Sequence, residues 1–127
     1  MSHELYDYLD ASGSNLVAEW SKELQKPQRA KLNSKIDMLR LHGENLFPEV
    51  LTNTPTSGIR KLRVKGNVQL RPLLCRGPHG EAEYTFLMGA KEVGGEFEPN
   101  DAVDTADARK STVAANMSRR CMHERIT

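Results

Sequence analysis

The sequence predicts a single α+β domain: an N-terminal helical hairpin packed on a small, mainly antiparallel sheet, with a further helix closing the chain. Three observations predict it. Apolar residues recur at helical spacing on both sides of Pro27 as far as Gly43; strand-like segments between Ile59 and Lys91 are separated by Gly-Asn and Gly-Pro-His-Gly turns; and helix-starting residues return at Pro99-Asn100-Asp101. With 127 residues, 38% of them hydrophobic and 28% charged, the chain falls among ordinary globular domains that bury a modest core.

Met1 to Gly13 carries several acids and a Ser-Gly pair, and is expected to be a frayed lead-in or a short edge element. Ser14 or Asn15 can cap a helix running to about Gln25, with Leu16, Val17, Trp20 and Leu24 on one face. Trp20 is accordingly read as core. Pro27 suits the first turn of a second helix, whose stripe is Leu32, Ile36, Met38 and Leu39 and whose terminator is Gly43. Glu44 to Gly58 reads as a packed loop pegged by Leu46, Phe47, Val50 and Leu51.

Ile59 to Lys65 reads as the first strand, with a hairpin at Gly66-Asn67, because glycine and asparagine tolerate positive φ. Val68 to Arg76 is the second strand. Pro72 has no N–H for the ladder, so a bulge or an outward-facing position is expected there. The third strand, Ala82 to Ala90, holds the apolar run of a central strand. Gly94-Gly95 breaks the pattern, a last helix runs from Pro99 to about Ser118, and Arg119 to Thr127 is expected to be a loose polar tail.

The formal net charge of +1 conceals a separation along the chain. Arg60, Lys61, Arg63, Lys65, Arg71 and Arg76 occur with no acid among them, whereas from Glu92 to Asp107 there are only acids. This pattern predicts a polyanion-facing surface with an acidic segment elsewhere; oppositely charged faces that pair or are simply solvated produce the same pattern. Cys75 and Cys121 are too few for a disulfide framework, and no CxxC or HxxxH spacing marks a metal. Cys75 reads as a small buried residue, Cys121 with His123 falls short of a ligand set, and no cofactor is expected. The N-terminus lacks a basic region followed by an apolar run, and no stretch approaches the roughly 18 apolar residues of a membrane span, so a soluble, cytoplasmic protein is expected.

Lys61 and Arg63, two apart on a strand, project from one face, and Arg71 on the next strand can come across from them. Lys91 at the end of the third strand adds a fourth cation, and Arg60, Lys65 and Arg76 extend the basic surface. Guanidinium groups suit phosphate because their planar fork holds two oxygens at once. His79 is the one histidine in the middle of the chain, and its neutral form can act as a base near physiological pH, although in a Gly-Pro-His-Gly turn a histidine is more often just exposed. Asp101 and Asp104 fit helix-start roles rather than acid chemistry.

Several short motifs carry a family resemblance. Ile59-Arg60-Lys61-Leu62-Arg63 is similar to a strand motif of the type L-Y-E-L-R, and Gln69-Leu70-Arg71 stands where an aromatic residue followed by Arg is common. Phe86 to Glu92 looks like a third strand with a lysine-bearing end, and Pro99 with Ala106-Asp107-Ala108-Arg109 looks like a final helix. From about Leu32 to Val113 the chain thus resembles the RelE/HigB superfamily of toxins, in its phage-derived HigB-like branch.

The resemblance implies a twisted sheet with a helical hairpin on one face and a basic concave face on the other. It also implies an mRNA interferase that cuts mRNA in the ribosomal A site and is held inactive by a cognate antitoxin. On that reading Lys61, Arg63, Arg71, Lys91 and His79 are the catalytic candidates, and Arg60, Lys65 and Arg76 bind RNA. Phe97 occupies the approximate place of a tyrosine in many relatives and has no proton to transfer. A non-catalytic member that binds a host protein or nucleic acid is the alternative. A DNA-binding regulator is disfavoured, since no helix-turn-helix with a basic recognition helix is visible.

Overall fold

The computed structural model describes residues 2–127. Asn15 caps the first helix, α1 (Leu16–Glu23), its side-chain oxygen accepting from Ala18 N at 2.9 Å. Helix α2 (Lys26–His42) begins almost at once, with Pro27 in its first turn, so α1 ends slightly short of the expected Gln25. Gly43 terminates α2 with φ 52° and donates its N–H to the Leu39 carbonyl. The His3 ring lies against Gly43 where a Cβ would sit, so the position excludes side chains on two counts.

Among the described residues there are nine strands: β1 (Glu4–Tyr8), β2 (Leu51–Asn53), β3 (Arg60–Leu62), β4 (Gln69–Leu70), β5 (Leu73–Arg76), β6 (Glu83–Met88), β7 (Lys91–Val93), β8 (Glu96–Glu98) and β9 (Arg120–Met122). Six form one sheet in the order β2-β3-β5-β6-β1-β9, and β4-β7-β8 form a second. Pairing is antiparallel except for β1, which runs parallel to β6. The fold is therefore mixed α+β with a mostly antiparallel sheet.

Pro72 divides what the sequence presents as one strand. Without an N–H it cannot continue the ladder. Arg71 N bonds to the Ala90 carbonyl at 2.8 Å, Pro72 O accepts from Leu62 N at 3.1 Å, and the register slips between Leu73 and Leu74. β4 thereby joins the second sheet while β5 stays in the first. Gly94 and Gly95, both at positive φ, are more than a break: they make the tight turn of the β7–β8 hairpin.

Residues alternate across the large sheet, and each face has its own helical cover. Leu5, Leu62, Leu74, Tyr84 and Phe86 pack with Val17 and Leu24 of α1 and Leu32, Ile36 and Leu39 of α2. Ile59, Leu73, Cys75 and Leu87 on the other face pack with Ala102 and Ala106 of α3 (Ala102–Ala115). Small residues on α3 let it lie close to the strands. The second face is thus apolar over much of its area, and not the open basic surface that the family resemblance implies.

The ends of the chain differ most from expectation. Residues 1–13 were expected to be loose or at an edge, yet β1 is an interior strand between β6 and β9, with Leu5 and Asp7 buried. Residues 119–127 were expected to be a flexible tail, yet β9 pairs with β1, the Ile126 carbonyl accepts from Asn33 Nδ2 at 2.8 Å, and the Thr127 carbonyl accepts from Arg29. The reason is long-range pairing of polar groups. The buried Asp7 accepts from His123 Nδ1 at 2.9 Å and Asn15 Nδ2 at 3.0 Å, and Arg120 bonds Glu83 and Thr85. Polar composition made both ends look exposed, while the partners of the last residues lie far off in the chain, 116 residues away for Asp7 and His123 and 93 for Asn33 and Ile126.

Candidate nucleic-acid interface

The strand break at Pro72 builds a charged cluster where the two sheets meet. Lys61 pairs with Leu73 across β3 and β5, and Gln69 pairs with Glu92 across β4 and β7. Lys61 Nζ lies 3.0 Å from Glu92 Oε1, and Arg71 Nε lies 3.4 Å from the same oxygen. Arg71 also donates to the Leu70 carbonyl at 2.9 Å and to Gln69 Oε1 at 3.2 Å. Its Nε proton reaches no acceptor with hydrogen-bond geometry. The Phe97 ring covers Lys61, with 5.3 Å between Nζ and the ring centroid.

The hydrogen bond from Lys61, reinforced by the positive charges of Lys61 and Arg71, holds the Glu92 carboxyl below its usual range. The cluster is a carboxylate flanked by two cations. The Lys61, Arg71 and Glu92 side chains are 16%, 7% and 23% exposed, so the cluster is mostly buried. Glu92 was not singled out by sequence reasoning. Its signal would have been the alternation Lys91-Glu92, which puts the acid on the face opposite the lysine, but the β4–β7 pairing needed to use it is not local.

The remaining predicted residues are dispersed. Lys91 is exposed and, by strand alternation, projects from the opposite face of β7 to Glu92. Arg63 does not join Lys61 and Arg71: its guanidinium donates to the Glu49 carbonyl at 3.3 Å and lines a cleft with Lys65. Arg60 is paired with Glu44 at 2.9 Å and lies over Phe47. Burial pushes the Glu44 carboxyl upward, but hydrogen bonds from Tyr84 and Arg60 outweigh it and hold it low. Arg76 is exposed and donates to the Glu81 carbonyl.

His79 is separated from the cations. It sits in the turn beyond Arg76, and Arg76 is itself three residues along β5 from Leu73, the partner of Lys61, a distance of about 10 Å. Its Nε2 is 2.8 Å from the Val113 carbonyl near the end of α3, and its backbone N–H donates to Glu83. The histidine ties a turn to a helix.

Cys121 and His123 are likewise occupied, Cys121 Sγ by Asn15 Nδ2 at 3.6 Å and His123 by Asp7. Burial, then the Asp7 charge, pushes the Cys121 thiol up. Among the described residues no helix is long and apolar enough to cross a membrane. Comparison with protein-family models and with curated proteins gives no match.

Proposed function

We propose that this chain is a RelE/HigB-like toxin that acts as a ribosome-dependent mRNA interferase, restrained by a cognate antitoxin and working in the cytoplasm. The single observation that carries the reading is the convergence of Lys61, Arg71 and Glu92 on one spot at the junction of the sheets. Supporting it, the α1–α2 hairpin lies on one face of a mainly antiparallel sheet, as the resemblance implies.

Cleavage of RNA through its own 2′-hydroxyl requires a proton acceptor near that oxygen and positive charge around phosphorus. Glu92 takes the 2′ proton as the oxygen attacks phosphorus. The P–O5′ bond then breaks, leaving a 2′,3′-cyclic phosphate, and the departing 5′ oxygen takes a proton from the Lys61 ammonium. Arg71 holds the charge that builds on the non-bridging oxygens. The depressed pKa makes Glu92 a weak base, so orientation and the two cations carry most of the rate enhancement.

The test is induced expression in a bacterium followed by mapping of mRNA 5′ ends, with Glu92→Gln as the control. The amide keeps the shape and an acceptor oxygen but not the basicity. New in-frame ends that fall by about a hundredfold or more in the folded variant are expected. Ends that persist undiminished remove Glu92 from the chemistry.

A second reading, a non-catalytic RelE-like protein that binds a host protein or nucleic acid, is favoured by one specific observation. Lys61 and Arg71 are mostly buried and share a carboxylate, as groups do in an ion-pair clasp joining two sheets. Growth inhibition without new mRNA ends is its expected signature.

A further inference from the structure

A second concentration of cations lies away from the Lys61 cluster. Lys31, Ser34 and Lys35 lie three and four residues apart on α2, hence on one stripe, and face Glu49, Val50, Arg63, Val64 and Lys65 across a cleft of about 370 Å³. A second cavity of about 140 Å³ adjoins it, sharing Lys31, Val64 and Lys65 and continuing past Gly66, Asn67 and Val68 to the start of α2. Together they form a groove between α2 and the turn joining β3 to β4.

Glu49 is the one carboxylate lining this groove, against Lys31, Lys35, Arg63 and Lys65. Among the described residues, none of the four cations lies within ion-pair distance of an acid. Lys35 Nζ meets only the Met38 sulfur, at 3.8 Å, and the Arg63 guanidinium meets a backbone carbonyl. Lys31 and Lys35, one helical turn apart, repel each other. Elsewhere Arg60, Lys61, Arg71, Arg120 and Arg125 each have a carboxylate. The four groove cations have none among the described residues and stand together around a single carboxylate, Glu49.

We propose that this groove binds the phosphodiester backbone of a single-stranded nucleic acid. Four cations spread along two adjoining cavities favour a polymer over a single phosphate, which a closed cradle of fewer groups would hold. Besides its charged residues the lining is aliphatic, glycine, proline and uncharged polar, with no aromatic ring, so there is no platform for base stacking, and recognition is of phosphate without regard to sequence. Such binding weakens steeply with salt through counterion release. The site uses elements other than the Lys61–Arg71–Glu92 cluster and does not depend on whether that cluster cuts RNA.

The test is fluorescence anisotropy with the full chain and a labelled oligouridine of about 12 nucleotides, matched by oligodeoxythymidine, without ribosomes. Two double variants remove groove charges, Lys35→Gln with Arg63→Gln and Lys31→Gln with Lys65→Gln; Lys22→Gln with Arg125→Gln removes two charges elsewhere. Each groove variant is expected to weaken binding between about ten- and a hundredfold at 50 mM salt and to reduce the log–log salt slope by about 1.4, while the control retains the wild-type slope. Lys31 and Lys65 are both exposed, so their variant carries the test even if the other fails to fold. A preference for oligouridine over oligodeoxythymidine assigns the strand to RNA, and equal binding assigns the site to the backbone shared by both. Equal loss in the control overturns the proposal, as does undiminished binding by the groove variants. Competition by polyglutamate as effective as that by oligouridine also overturns it, in favour of an acidic protein.

Discussion

At the scale of single residues, Gly89 shows how one missing side chain seats a helix. The Trp20 indole of α1 lies against the Gly89 backbone so closely that a Cβ there would overlap the ring. Trp20 in turn packs against the core shared by α1, α2 and the sheet. Gly89→Ala is expected to displace the indole and destabilise the protein by about 1–3 kcal/mol, read as a lowered urea midpoint. An unchanged midpoint would show that the ring repositions freely. Trp20 was legible as a core residue from helical spacing alone, because the spacing is local. Gly89 was not, since a glycine in an apolar strand gives no sign of what presses on it. Strand alternation plus one hairpin put Lys61, Arg63 and Arg71 on one patch, but Arg63 turns away to the Glu49 carbonyl, and Glu92 reaches Lys61 and Arg71 through a sheet that the sequence did not announce.

Elements were readable where their signals lie within a few residues. Asn15, Pro27 and Gly43 bound the two N-terminal helices close to their expected limits, and Gly66-Asn67 lies in a turn that brings Val64 opposite Leu70, although neither residue takes the positive φ expected there and the flanking strands shorten to Arg60–Leu62 and Gln69–Leu70. β1 and β9 were not readable, because Asp7 and His123 each look like a surface residue until they meet. That meeting supplies a contrast between two ties of the C-terminal segment. His123→Ala removes the donor to a carboxylate that is 1% exposed and also the ring that lies 5.4 Å from Phe86. A loss of about 2 kcal/mol or more is expected, since a buried acceptor loses a partner. Arg125 pairs with Asp37 at 2.7 Å, but both side chains are about half exposed, so Arg125→Ala is expected to leave the midpoint unchanged. Urea titration of the two variants side by side checks both. Equal effects would mean that the C-terminal segment is held by its backbone pairing rather than by the buried polar contact.

Across the whole molecule, the two apolar layers make stability depend on pH from both sides. Glu44, Glu83 and Glu92 are all held below the ordinary 4.5, Glu92 by Lys61 and Arg71, and Glu83 by Arg120 against the opposing effect of burial. A depressed carboxylate contributes stability above its unfolded pKa and loses it as pH falls through the folded value, so the urea midpoint should decline below about pH 4.5. Cys75 acts in the opposite sense. It is wholly buried beneath α3, and burial pushes its thiol from 9.0 up to about 11. A raised thiol contributes fully below pH 9 and loses its contribution as pH rises through about 11. The same burial gives a kinetic readout, because the thiolate is the reactive form and no reagent reaches Cys75 in the folded chain. At pH 8 an aromatic disulfide reagent should label the half-buried Cys121 first and Cys75 only as the molecule opens. With Cys121→Ser a single slow phase should remain, accelerating with urea in step with the loss of helical circular dichroism. If that phase ran far ahead of unfolding, α3 would be opening on its own, and the second face of the sheet would be available to a partner without disturbing the first.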